Sequence, residues 1–176
     1  MINVLFLCTG NSARSILAEA LLNHLGGKTF QAYSAGSDPV GRVQPLALSV
    51  LESAGINIAN LSSKSWDVFM LDDSNNPDIT RMQVVITLCD DAANKPCPLW
   101  LGDGVRCHWG LPDPAAVTGN ESDRHTAFEH AFTQLNTRIK SLLVLNHNLF
   151  TEPQQHQQLL IELNRIHQQS VSGEST

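Results

Sequence analysis

Eight residues near the start of the chain, Cys8-Thr9-Gly10-Asn11-Ser12-Ala13-Arg14-Ser15, gather a thiol, an arginine and small polar residues into one short stretch. A continuous apolar run precedes them and a helical pattern follows. A loop in that position aims several backbone N–H groups, and the positive end of a helix dipole, at one point. Gly10 permits the tight turn. Arg14 offers a planar fork that matches two oxygens of a tetrahedral oxyanion. The same groups would stabilise Cys8 as a thiolate. Ser15 is placed to hydrogen-bond the sulfur, and Asn11 to brace the loop. The stretch therefore reads as an oxyanion cradle with a nucleophile at its base, residues 9–15 holding the anion and Cys8 attacking it. A lone cysteine at a strand end is usually only a buried thiol. The strand, the Cys-x5-Arg-Ser spacing and the helix together outweigh that reading.

Three more cysteines follow: Cys89, Cys97 and Cys107. Each is open to three readings: a buried structural thiol, a redox or catalytic thiol, or a metal ligand. A chain of this size with an ordinary core does not need disulfides to fold, and a reducing cytosol would not keep them. Cys89, Cys97, Cys107 and His108 nominally make a zinc set. The short Cys–Cys spacing of a zinc knuckle is missing, and the adjacent Cys107 and His108 would point to opposite faces of a strand. Neither metal nor cofactor is expected, and Cys107 reads as structural.

The elements that must position these groups follow from the hydrophobic pattern. Residues 2–7 form a short apolar run, the mark of a buried parallel strand. From Ser15, the residues Ile16, Leu17, Ala20, Leu21 and Leu25 share a helical face, and Gly26-Gly27 stops it. Residues 30–34 read as a second strand, 43–54 as a second helix, and 66–69 as a short helical turn. Residues 82–88 read as a third strand and 107–109 as a fourth. Phe128, Phe132, Leu135, Ile139 and Leu142 mark a long amphipathic helix, and Leu159, Leu160, Leu163 and Ile166 one more in a Gln-rich segment. Strands alternating with helices imply an α/β fold, a four-stranded parallel sheet with helices on both faces. The expected division is a catalytic domain over residues 1–148 and a C-terminal helical extension and tail over 149–176.

Composition narrows the function. The 176 residues are 42% hydrophobic and 16% charged, enough apolar material for a core and too little charge for a disordered chain. The net charge of −6 disfavours a nucleic-acid or anionic-membrane binder. A small anion remains compatible, because backbone N–H groups hold it locally against the global charge. The apolar runs are too short to span a bilayer, and no leader pattern opens the chain, so a cytoplasmic protein is expected.

The loop at 8–15, with Tyr33-Ser34-Ala35-Gly36 after the second strand, resembles the low-molecular-weight protein tyrosine phosphatases and the arsenate reductases that share their three-layer fold. Thr87-Leu88-Cys89 with Cys97-Pro98, and His108-Trp109-Gly110 with Asp113-Pro114, resemble the thioredoxin-coupled arsenate reductases in particular. The likeness covers roughly residues 2–145. A phosphatase needs one nucleophilic thiol and one acid. Reducing As(V) to As(III) takes two electrons, which two thiols supply on becoming a disulfide. Phosphatases of this fold usually carry an aromatic after the Asp-Pro, where this chain has Ala115 and Ala116.

The resemblance implies a relay. Cys8 attacks arsenate, Asp113 protonates the departing oxygen, Cys89 attacks Cys8, and Cys97 attacks Cys89, exposing a disulfide to thioredoxin or, in a variant reading, glutaredoxin. The alternative is a phosphatase using Cys8, Arg14 and Asp113 alone. Seven residues separate Cys89 from Cys97, where the family often has six, and Ala13 stands where a cysteine is common. Some relatives bind potassium beside the loop. Asn11, Glu19, Ser34 and Ser62 match ligands of that site, but Lys64 stands where a carboxylate would complete it.

Overall fold

A computed structural model describes residues 1–69, 81–89 and 104–172. Its strands are β1 (Ile2–Cys8), β2 (Phe30–Gly36), β3 (Val84–Thr87) and β4 (Val105–His108), all parallel in the order β2-β1-β3-β4. Helix α1 (Arg14–Leu25) follows β1, and α2 (Pro45–Ser53) follows β2. The chain continues through α3 (Glu121–Leu143), the single turn α4 (Asn148–Thr151) and α5 (His156–Ser172). This is the expected four-stranded parallel α/β architecture.

The strand order reverses between β1 and β3. In open parallel sheets, ligands bind at the carboxyl ends of the strands flanking such a reversal. β1 ends in Cys8, and β3 runs on to Cys89 two residues past Thr87. The two thiols meet because topology delivers both to one edge.

Alternation along the strands divides the apolar residues between the sheet's two faces. Ile2, Val4, Phe6, Val84, Ile86, Val105 and Cys107 enter the main core, where the helices pack over them. Leu5, Leu7, Ala35 and Val85 face the other way, toward Trp66 and Phe69 of the short 3-10 turn Trp66–Phe69. Helix α5 belongs to the main core. Its Leu159, Leu163 and Ile166 are buried there with Leu135, Ile139 and Leu142 of α3, and Phe150 of α4 meets Phe30 edge-on at 5.4 Å. Among the described residues, no helix is long and apolar enough to cross a membrane.

β2 runs on to Gly36 and β3 is confined to Val84–Thr87, and two other shifted boundaries have a clear local cause. The second helix begins at Pro45, not Val43, because a residue before proline is pushed out of the helical region, and Gln44 is extended (ψ 128°). Proline itself suits the first helical turn. The fourth strand starts two residues earlier, at Val105, where Gly104 passes so close to the Met82 and Gln83 carbonyls that a side chain would collide with them. Cys107 is buried in the main core, and burial pushes its thiol well up from the ordinary range, as suits a structural cysteine.

Gly36, the last residue of β2, lies directly beneath the Cys8–Ser15 loop. An added Cβ would run into the Thr9 carbonyl and reach the Asn11 nitrogen at 3.0 Å, both backbone atoms that cannot swing aside. Gly36→Ala is expected to cost about 1–3 kcal/mol of stability through overpacking and to weaken phosphate binding by deforming the loop. Urea unfolding and calorimetric titration check the two effects.

Candidate active site

The anion loop is folded around one side chain. Asn11 is fully buried and left-handed (φ 43°), a conformation that asparagine tolerates better than most residues. Its Nδ2 donates to Ser15 Oγ and to Ser34 Oγ, each at 2.9 Å, and its Oδ1 accepts from the Lys64 backbone at 2.8 Å. Its own backbone N–H donates to Cys8 Sγ at 3.2 Å. Ser15 Oγ lies 3.0 Å from the same sulfur. Since that hydroxyl accepts from Asn11, its proton is available to Cys8. Two donors therefore converge on the Cys8 sulfur.

The loop's other edges are tied to backbone. Gly10 O accepts from Val40 N and Ser63 Oγ, and Ser12 O accepts from Gln44 N. Ala13, which caps α1, contributes no side-chain hydrogen bond, so the first-turn N–H groups are left for an anion in the loop.

Arg14 opens α1 and lies across the loop mouth. Its Nη1 donates to Leu111 O at 2.9 Å and its Nη2 sits 3.2 Å from Asp113 Oδ2. Asp113 is half exposed, and its other oxygen accepts from the Ala115 backbone, fixing the carboxylate at the start of the 3-10 turn Pro114–Ala116. Cys89, 6% exposed, packs against Cys8, 3% exposed, in a small cluster of their own, and both are free thiols. Thr9 Oγ1 reaches Cys89 Sγ at 3.3 Å. The fold thus brings together Cys8, Arg14, Asp113 and Cys89 with the loop residues Thr9 to Ser15. Cys97 lies outside the described residues.

A polar chain runs inward from the loop. Ser34 Oγ donates to Glu19 Oε2, and Lys64 Nζ stands 3.8 Å from that carboxylate while donating to Ser62 O at 3.1 Å. Burial raises the Glu19 carboxyl above its ordinary range, while the Ser34 bond and the Lys64 charge pull it back. A potassium ion does not fit this arrangement. The lysine ammonium already faces the carboxylate, and the Lys64 backbone already takes Asn11 Oδ1.

Two sets of contacts were absent from the sequence reading. Thr87 Oγ1 bonds His108 Nδ1 at 2.8 Å across β3 and β4, a pairing visible only once the register is known. Arg138 of α3 is 2% exposed and donates to Trp109 O and Gly110 O, just before the acid. Its signal was present: it falls on the apolar face with Leu135, Ile139 and Leu142, where a charge demands a partner.

Comparison with known proteins agrees with this geometry. A family model described as low molecular weight phosphotyrosine protein phosphatase matches residues 3–158. An arsenate reductase of Shouchella clausii is 38% identical over 137 residues, 78% of this chain and 91% of that protein. A solved structure of an arsenate reductase in its oxidized state superposes with a TM-score of 0.64 at 29% identity, covering 81% of this chain and 97% of that one. The thioredoxin-dependent arsenate reductase of Corynebacterium glutamicum superposes at 0.52 with 26% identity, covering 80% of this chain and 62% of that one.

With Lys64 as a built-in cation, oxyanion binding should be nearly indifferent to potassium versus sodium at matched ionic strength. Lys64→Asp should weaken phosphate binding severalfold without potassium, because a second carboxylate would face Glu19 beside an anion site, and added potassium should restore most of it. Calorimetric titration across potassium concentrations checks both. Strong potassium activation of the unmodified protein would contradict the built-in charge.

Proposed function

The chain belongs to the low molecular weight phosphotyrosine protein phosphatase family, and within it we propose that this member reduces arsenate to arsenite by a thiol relay recycled by thioredoxin. The observation that carries the reading is the buried pairing of Cys89 with the loop cysteine Cys8. Ester hydrolysis has no use for a second thiol at that point, whereas a two-electron reduction requires one.

Arsenate enters the loop and is held by backbone N–H groups and the Arg14 fork. The Cys8 thiolate attacks arsenic, forming an S–As bond. Asp113 delivers a proton to the departing oxygen, which leaves as water. Cys89, deprotonated, attacks Cys8 Sγ. The S–S bond forms as the S–As bond breaks, and the bonding pair stays on arsenic, which leaves as As(III). Cys97 then displaces Cys8 from Cys89, so that the disulfide ends between Cys89 and Cys97 and Cys8 is again a thiolate. A dithiol protein, thioredoxin in this reading, reduces that disulfide and takes up the oxidising equivalent. The burial of both Cys8 and Cys89 supports the need for the third thiol, because a protein-sized reductant has poor access to either. Such a cycle suits a cytoplasmic enzyme, where thioredoxin is kept reduced. The named relatives, all arsenate reductases, support the same substrate.

Two substitutions separate the steps. Cys89→Ser should abolish sustained arsenate reduction while leaving weak hydrolysis of a chromogenic phosphate ester, since the loop and acid remain. Loss of both activities in a folded protein would contradict this division. Cys97→Ser should complete about one reduction per molecule and stop with Cys8 and Cys89 disulfide-bonded, as peptide mapping after arsenate treatment would reveal. Sustained thioredoxin-driven turnover by that variant would sink the three-thiol relay.

A further inference from the structure

Three consecutive carbonyls lead up to the acid, and two arginines take all three. Arg138 Nη1 donates to Trp109 O at 2.9 Å and Gly110 O at 3.2 Å, and Arg14 Nη1 donates to Leu111 O at 2.9 Å. Two residues later comes Asp113. The two arginines differ in their other engagements. Arg14 heads the anion loop and faces Asp113, so an oxyanion entering the loop competes for its N–H groups. Arg138 is buried on α3, and its Nε donates to Ser170 Oγ at 2.8 Å on α5.

Helix α5 grips the same segment a second time. The fully buried Trp109 donates its indole N–H to Leu163 O at 3.0 Å. Ser170 is itself oriented by donating to His167 O at 2.7 Å. The His167 ring stands 6.2 Å from that of His108, and burial, with the Arg138 and His108 charges nearby, lowers its pKa. Leu163 and Ser170 lie beyond residue 158, where the family match ends.

We propose that Arg138 is a positioning residue for the acid segment and that Ser170 of α5 fixes Arg138, so the C-terminal helix holds the proton donor in place when substrate draws Arg14 away. The inference rests on Asp113 being that donor. Before substrate arrives, Arg14 and Arg138 share the segment. Once Arg14 turns its fork to the oxyanion, Leu111 O loses a donor. Among the described residues, the ties that remain include Arg138, the Trp109 indole, and the Trp109 and Leu111 amides, which donate to Thr87 O and Leu88 O. A guanidinium bridging two successive carbonyls restrains the segment's tilt as well as its distance. A proton donor displaced by about 1 Å loses up to ~100-fold in rate.

The test uses the full-length chain. Arg138→Gln, Arg138→Lys and Ser170→Ala are made alone and with Asp113→Asn. Thioredoxin-driven arsenate reduction is measured as kcat and KM, and amide hydrogen exchange is followed at Trp109 and Leu111. Arg138→Gln should lower kcat about tenfold with KM within about twofold, and Arg138→Lys should recover part of the loss. Asp113→Asn should then cost far less in the Arg138→Gln background than in the unmodified protein, because a misplaced donor has little left to lose. Trp109 and Leu111 amides should exchange faster while the Asn11 amide keeps its protection. Ser170→Ala, which removes one hydroxyl, should shift rate and exchange the same way by about two- to threefold. It carries the test if Arg138→Gln does not fold. Additive effects of Arg138→Gln, or of Ser170→Ala, with Asp113→Asn would overturn the proposal, as would unchanged exchange at Trp109 and Leu111. Should the unmodified protein reduce no arsenate, the functional reading falls, while the exchange measurement still decides the positioning.

Discussion

Asn11 adopts a left-handed backbone conformation that costs residues with a Cβ, and its carboxamide is what holds it there. Its side-chain bonds reach three different parts of the chain: the start of α1, the strand β2 and the Lys64 segment. That leaves its own N–H turned to the Cys8 sulfur. The loop is thus shaped before any anion arrives, and the cost of ordering it falls on folding, not on binding. Gly36 beneath the loop, and the Ser34 and Glu19 chain behind it, exist in service of that one buried amide.

The sheet supplies the second requirement, a meeting of two thiols distant in sequence. Cys8 and Cys89 are 81 positions apart yet touch, because both lie where parallel strands flanking the order reversal run out. A hydrolytic fold needs only the first of these positions. In the proposed relay, a thiol at the second turns the same scaffold to electron transfer without changing its backbone plan, which illustrates how chemistry is grafted onto a fold.

How much of this the sequence declared depends on how local each cause is. The anion loop was legible because strand, small residues, arginine and helix are contiguous, and Cys8, Asn11 and Ser15 act on one another within eight positions. The four strands were legible from their apolar runs, although Pro45 moved a helix start and the backbone approach at Gly104 moved a strand start. Asp113 was legible only through family likeness, since Asp-Pro alone describes many turns. Arg138 showed in the sequence only as a charge on an apolar helix face; its partners, two carbonyls and a serine, carry no pattern that would name them. The extension after residue 148 was readable as an amphipathic helix. Its bonds to Trp109 and Arg138 depend on how that helix lies over β4 and α3, and periodicity does not specify this.

The burial of the paired thiols has a bearing on what else can oxidise them. Oxidation of cysteine by peroxide or by low-molecular-weight disulfides follows thiolate character and exposure together. Cys8 has two hydrogen-bond donors at its sulfur, yet both thiols are almost fully covered. In the proposed cycle, a tetrahedral oxyanion reaches Cys8 through the donors of the loop, and its own centre is the electron acceptor. On that reading the pocket acts as a filter on oxidants as much as a binding site. It keeps a reactive thiol pair reduced amid bulk redox traffic and spends it on the anion that fits.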